Sequence, residues 1–536
     1  TVMALMGNAE IQVAIGADAV VNGGTVNFGA TSAGMPVSRT FTITNAGADP
    51  LSIGTINLPA GFSVTTEPES PLGSGDSTTL VVQLDAAADG TYGGALSFLT
   101  NDPDDNPFAI TLAGVVFTSS GAGIDDPLFP AQWHLTNTGQ NGGVPFIDVN
   151  AEAAWAITQG LTAVVAVLDN GSQPDHPDYA GNVGACEDCV NFFDLAENID
   201  GGGEPGGHGT AVAGLIAANA NSTGVRGVAP QAQLILTSFL TPVGDPVSNA
   251  DIAENIAAAA EAGAAVHSNS WGPGRAVPMP ALIRIAIENL SVNARDGKGM
   301  LFVVATGNFN ELVPYNNPMA FLEPVLGVGA VDNLGRRSRF GSPVFGSGYG
   351  LGLSLVGPSN GGTLGITTTD VSDQGGYNTA PSANGGDYTS DFSGTSAATP
   401  IVAGVAALTV AVNNNLHASQ IKRILQHTAR ENLSRLDLFI PEAARLNVST
   451  GFSESFGYGI PDAAAAVAAA QRAAAESGLT WPAPPTEVEV VQGPNSTSIT
   501  WQNAPVGPAG EYAGVLLARA PGPFWRPVDG VTYTER

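Results

Sequence analysis

At 536 residues, 43% of them hydrophobic, the chain is long enough for several domains with real cores and lacks the composition of a disordered protein. Against 18 basic residues stand 48 acidic ones, a net charge of −30, which argues against nucleic-acid binding, since that needs basic patches. Such a charge suits a protein working outside the cell, and its field attracts basic segments of partners.

Residues 1–120 read as all-β. The runs "TVNFGA", "SRTFTITNAG", "LSIGTINL", "STTLVVQL" and "GALSFLTND" are short, alternating or β-branched, and are punctuated by Gly, Asn, Asp and Pro. Their spacing suggests a β-sandwich, and the pattern resembles the immunoglobulin-like modules of large bacterial surface proteins.

Residues 121–478 change character. Apolar strands are expected at 163–169, 233–239, 264–270, 300–306 and 325–331, with helices at 210–219, 249–263 and 281–297. Near-continuous apolar strands separated by helices indicate an α/β domain whose parallel sheet is covered on both faces. A helix follows over Ala397–Leu408, with Pro400 expected in its first turn, where proline is tolerated, and two more lie near 418–429 and 462–475.

Residues 479–536 open with the Pro-rich linker "LTWPAPPTEVEV" and continue as the start of a fibronectin type III-like β-module that is left incomplete at "VTYTER". No stretch reads as long and apolar enough to span a bilayer. The N-terminal "TVMALMGNAE" shows neither a basic region nor a long apolar run, so a signal peptide is expected to have been removed, and the chain to be a piece of a longer protein.

The two cysteines, Cys186 and Cys189, form a C-x-x-C pair in "GACEDCVNFF". No second pair or histidine cluster accompanies them, which disfavours zinc; a local disulfide and two reduced thiols both remain open.

Four polar residues stand at element ends where a core would not need them. Asp169 closes the strand "AVVAVLD", His208 opens a helix in "GGHGTAVAG", Asn308 follows "MLFVVATGN", and Ser396 begins the helix of "GTSAATPIVAGVAAL". Ligands of open parallel sheets sit outside the carboxyl ends of the strands. A serine hydroxyl needs a base to become a nucleophile, and a histidine needs a carboxylate to fix its tautomer. Each residue alone also has a plain structural reading, such as a helix cap for Ser396.

Their order, Asp–His–Ser, and the motifs "VLDNGSQPDHPD", "HGTAVAG", "VVATGN" and "GTSAATP" resemble those of subtilisin-like serine proteases over roughly residues 121–478. The resemblance implies Asp169, His208 and Ser396 as catalytic triad and Asn308 as oxyanion donor. "DDPLFPAQWHLTNTGQNG", "HPDYAGN" and "SNSWGP" look like the kexin/furin branch, in its bacterial relatives. That branch carries an acidic run after "SWGP" and a second acid beside the catalytic aspartate. Here stand Gly274, Arg275 and Ala276, and Asn170, so a dibasic preference is not carried over. Backbone pairing of an extended substrate with Ser268, Asn269, Ser270, Trp271 and Gly272 is still expected.

The segment "AANANSTGVRGVAP" resembles the family's calcium loop. It implies a structural calcium held by the Asn221 side chain, the carbonyls of Asn219, Thr223 and Val225, and the carboxylates of Asp178 and Asp126. The expected protein is therefore a secreted or cell-surface bacterial serine endopeptidase acting on protein or peptide substrates, joined to other domains of a larger surface or secreted protein. The competing expectations are an inactive surface adhesin on the same scaffold, and an esterase, whose serine would usually sit in G-x-S-x-G.

Overall fold

The computed structural model describes residues 9–15, 18–32, 36–88, 90–117, 124–191, 207–240, 245–272, 277–341, 344–372, 376–378, 386–430, 452–475, 486–492 and 497–502. The chain divides into two compact units, Thr1–Gly123 and Ile124–Arg536.

The first unit is all-β. It contains β1 (Ile11–Ile15), β2 (Asp18–Ala19), β3 (Thr25–Ser32), β4 (Val37–Asn45), β5 (Phe62–Thr66), β6 (Ser77–Leu84), β7 (Gly90–Phe98) and β8 (Phe108–Phe117). They form one sheet of order β2-β1-β4-β6-β5 and another of order β3-β8-β7. Alternation decides which side chains go inward: in β6, Leu80, Val82 and Leu84 are buried while Thr79 is exposed. One core joins the sheets, with Phe28 of β3 meeting Phe62 of β5 edge to face at 5.1 Å. The expected strand over 51–58 does not form. Leu51, Ile53 and Asn57 make isolated bridges only, to Leu72, Thr100 and Ser97.

The second unit is built on a six-stranded parallel sheet. Its strands are β9 (Val164–Asp169), β10 (Gln233–Ser238), β11 (Val266–Asn269), β12 (Leu301–Ala305), β13 (Leu326–Val331) and β14 (Leu355–Pro358), in the order β10-β9-β11-β12-β13-β14. Two-sided burial explains the apolar runs of β12 and β13, every residue of which is buried; β11 is equally buried although His267, Ser268 and Asn269 are polar. The order turns back between β9 and β11, so a crevice is expected where these two strands end, and Asp169 and Ser270 stand there.

The helices are α1 (Ala151–Trp155), α2 (Gly207–Ala217), α3 (Asn249–Glu261), α4 (Ala281–Gly297), α5 (Val313–Asn316), α6 (Gly394–Val412), α7 (Ala418–His427) and α8 (Ala463–Ala475). Before α6 runs a hairpin of β15 (Ile366–Thr369) and β16 (Tyr388–Phe392). Helix α3 starts on a capping box, Ser248 accepting from the Asp251 N–H and Asp251 from the Ser248 N–H.

Helix α6 matches a membrane span in length and apolarity, contrary to the reading that no stretch does, but 89% of its apolar window lies buried in the protein core. It begins at Gly394, so Pro400 sits in the second turn rather than the first. Proline has no N–H, which removes the helical donor for the carbonyl four residues earlier, that of Ser396. The Ser270 hydroxyl from the end of β11 supplies the missing donor at 3.0 Å.

Of the C-terminal segment, β17 (Thr486–Gln492) and β18 (Thr497–Gln502) pair as an antiparallel hairpin. The remainder of the expected fibronectin-like module lies outside the described residues.

Candidate active site

The end of β9 presents Asp169, which is buried. Its Oδ1 accepts from the Asn170 N–H at 2.8 Å and lies 2.7 Å from His208 Nδ1. His208 is the second residue of α2 and keeps one-fifth of its side chain exposed. Asn170, where an acid was looked for, accepts from the Gly209 N–H at 3.0 Å and so holds the first turn of α2 to the end of β9. Gly209 is required there, since a Cβ would fall 2.0 Å from the Gly171 carbonyl. Phe392 of β16 packs edge-on to the imidazole at 5.2 Å and fixes its other face.

Ser396 is the third residue of α6. Its Oγ donates to the Ser270 carbonyl at 3.0 Å, while the Ser270 Oγ donates back to the Ser396 carbonyl at 3.0 Å. This reciprocal pair locks the serine to the end of β11. Asn308 lies in the loop after β12. Its Oδ1 accepts from the Thr395 N–H and from Thr395 Oγ1, both at 2.9 Å. The amide is thus oriented by its oxygen, and no described residue accepts from Nδ2. Gly394, at φ +78°, leaves room beside that nitrogen; a Cβ there would stand 3.0 Å from Nδ2. His208, Asn308 and Ser396 line one cleft of about 240 Å³.

The structure narrows the expected substrate-pairing stretch. Ser268 and Asn269 are inside the sheet, paired with β12 and almost wholly buried, so they cannot meet an extended peptide. Ser270, Trp271 and Gly272 lie beyond the strand end. Here the sequence reading missed Asn317, whose Nδ2 donates to the carbonyls of Trp271 (3.0 Å) and Ala305 (2.7 Å) and ties the ends of β11 and β12 together. Positions 273–276, where the acidic run was found missing, lie outside the described residues.

Another residue missed from the sequence is Asp370, at the end of β15. Its carboxylate accepts from the N–H groups of Val371 (2.9 Å), Tyr377 (3.0 Å) and Asn378 (2.6 Å), and burial pushes its pKa up to about 6. It thereby holds Tyr377 against the cleft. The contacts span no more than eight residues, but no motif marks them in the sequence.

The expected calcium residues do gather. The loop 219–225 wraps Asp178: the Asn219 N–H donates to the Asp178 carbonyl (2.7 Å), Asn221 Nδ2 to its Oδ1 (3.0 Å) and the Val225 N–H to its Oδ2 (2.9 Å). Burial, with the Asp126 charge adding to it, pushes Asp178 up to about 7. Asp126 departs from its expected role, because its Oδ2 is paired with Arg226 Nε at 2.5 Å and its Oδ1 accepts from the Asn221 N–H. Thr223 turns back on Asn221, its N–H donating to Oδ1 at 2.9 Å. Cys186 and Cys189 are joined by a disulfide.

Residues 20–116 match a family described as a protein of unknown function (DUF1573). The chain is 34% identical over 361 residues to a calcium-dependent protease of Trichormus variabilis, covering 63% of this chain and 51% of that protein. It is 32% identical to thermitase of Thermoactinomyces vulgaris over 52% of this chain and 86% of thermitase. The chain thus spans about half the length of its first curated relative. Its fold resembles the crystal structure of a serine protease of Aeromonas sobria, with a TM-score of 0.55 and 23% identity over 69% of this chain and 71% of that one. Residues 160–459, more than half of the chain, match the model of the subtilase family, and the chain belongs to that family.

Proposed function

We propose that this chain is a serine endopeptidase that hydrolyses peptide bonds through Asp169, His208 and Ser396. One observation carries the reading: the 2.7 Å contact of His208 Nδ1 with buried Asp169 opens onto the same cleft that Ser396 and Asn308 line. With Nδ1–H donating to Asp169, the lone pair of the neutral ring is on Nε2. The Ser396 hydroxyl leaves the Ser270 carbonyl and gives its proton to Nε2 as Oγ attacks the scissile carbonyl carbon. Asn308 Nδ2 and the Ser396 N–H donate to the oxyanion. The imidazolium, stabilised by Asp169, returns the proton to the departing amine, and a water repeats the sequence to release the acid and regenerate the serine.

The acyl half of an extended substrate is read as pairing with the backbone at Ser270–Gly272. The branch is read as kexin-like, on the motifs around residues 125–142 and 268–273, without its dibasic preference. The residues around Asp178 fit a calcium ion: the donors are hard oxygens, and a buried carboxylate is costly without a cation. Asp178, the Asn221 amide and the carbonyls of Asn219, Thr223 and Val225 would hold it, with Asp126 and Arg226 bracing the loop. Calcium would supply structural cohesion. The disulfide and the acidic surface support an extracellular location. The two-sheet N-terminal unit is read as an immunoglobulin-like spacer or adhesion module.

Labelling with a fluorophosphonate tests the reading. Stoichiometric modification mapped to Ser396 is expected; a folded chain that takes no label would favour the inactive scaffold.

A further inference from the structure

We propose that the cleft beside Ser396 is a subsite for a cationic side chain, that of the residue following the scissile bond, with Asp391 as its counter-charge. This rests on the peptidase reading above. The cleft lies on the leaving-group side for two reasons. His208, which must protonate the departing amine, lines it, and none of residues 268–272, where the acyl half is read to pair, does so.

Its walls are aromatic. Phe340, Phe345, Tyr377 and Phe392 line it, with Tyr377 and Phe392 meeting at 5.7 Å between ring centroids. Phe345 is 42% and Tyr377 43% exposed, an unusual amount of aromatic surface left open beside a nucleophile. At about 240 Å³ the cleft is smaller than the several hundred Å³ of a typical small-molecule pocket, a size for one side chain.

The charge is unbalanced in one direction. Asp391, on β16 five residues before Ser396, lines the cleft and is exposed. Its backbone N–H donates to Thr389 Oγ1, but its carboxylate has no ion pair or side-chain hydrogen bond among the described residues. Among the described residues, no Lys or Arg lines the cleft. A lysine or arginine would lay its methylene stem along the rings, place its head group near aromatic faces and approach the carboxylate. An acidic side chain would meet like charge in the same place. The chain's net charge of −30 acts in the same sense at long range.

The test is a set of internally quenched peptides identical except at the residue after the scissile bond, which is Lys, Arg, Leu, Phe or Glu, with cleavage positions read by mass spectrometry. Wild-type kcat/KM should rank Lys and Arg above Leu and Phe, and those above Glu. The Lys-to-Glu ratio should be roughly tenfold, the scale of an exposed ion pair added to a cation–π contact. Asp391→Asn should reduce that ratio several-fold, leaving the part that the aromatic walls and the net charge supply, and raising the ionic strength should shrink it in the wild type without any substitution. Cleavage that favours Leu or Phe over Lys, or a ratio that neither Asp391→Asn nor salt alters, would overturn the proposal and leave the peptidase reading standing. No cleavage of any peptide would refute the peptidase reading, and this one with it.

Discussion

The reciprocal pair between Ser270 and Ser396 allows a quantitative test of how the nucleophile is held. In Ser270→Ala the Ser396 carbonyl loses its donor, and Pro400, with no N–H, cannot replace it. Both serines are buried, at 5% and 8% exposure, so water does not substitute freely. A stranded buried acceptor costs about 1–3 kcal/mol. In Pro400→Ala the new N–H becomes the ordinary helical donor to the same carbonyl, and removing the Ser270 hydroxyl then costs only a few tenths of a kcal/mol. The double-mutant cycle should therefore show a coupling of roughly 1–2 kcal/mol. Urea unfolding followed by tryptophan fluorescence measures it cleanly, since all six tryptophans lie beyond residue 123 and report on the second unit alone. Costs that simply add, within about 0.5 kcal/mol, would refute the reasoning.

Three further outcomes are expected. Asn308→Asp keeps the acceptor that Thr395 grips but removes the Nδ2 donor, so kcat should fall by about 10²–10³ with KM little changed; an undiminished kcat would remove Asn308 from the oxyanion site. Chelation of calcium should lower the unfolding midpoint of the second unit, added Ca²⁺ but not Mg²⁺ should restore it, and Asp178→Asn should abolish the difference. Asp370, pushed up to about 6 from 3.8, binds its proton more tightly folded than unfolded. Its contribution to stability is fully present below about pH 4 and is lost as pH rises through about 6, on the order of 3 kcal/mol; Asp370→Asn should flatten that part of the pH–stability curve, and an unchanged slope would contradict the assignment.

Much of the second unit was legible because parallel strands buried on both faces are rich in apolar residues, as β9, β10, β12 and β13 are, whereas β11, "VHSN", buries three polar residues. The short β14, "LVGP", carries too little pattern to stand out. The β15–β16 hairpin escaped because many of its buried residues are threonines: Thr368 and Thr369 donate to the carbonyls of Ala211 and Thr210, partners more than 150 positions away. Leu51–Leu58 misled in the opposite way, alternating like a strand without a neighbouring strand to pair along its length. Around the site, the motifs located Asp169, His208, Asn308 and Ser396 because each ends or begins an element. Pro400 was misplaced because the helix starts at Gly394, and its effect depends on a hydroxyl 130 residues distant in the chain. Ser268 and Asn269 were included because the sequence does not show where β11 stops being covered by β9 and β12.

The central claim is that Ser396 attacks peptide bonds. Its most direct test is hydrolysis of an unstructured protein substrate by the wild type and by Ser396→Ala at equal concentration, with unfolding curves recorded for both. The account predicts wild-type cleavage and a fall of at least roughly 10⁴-fold in the variant, whose unfolding transition is retained. Equal hydrolysis by the two folded proteins would contradict it.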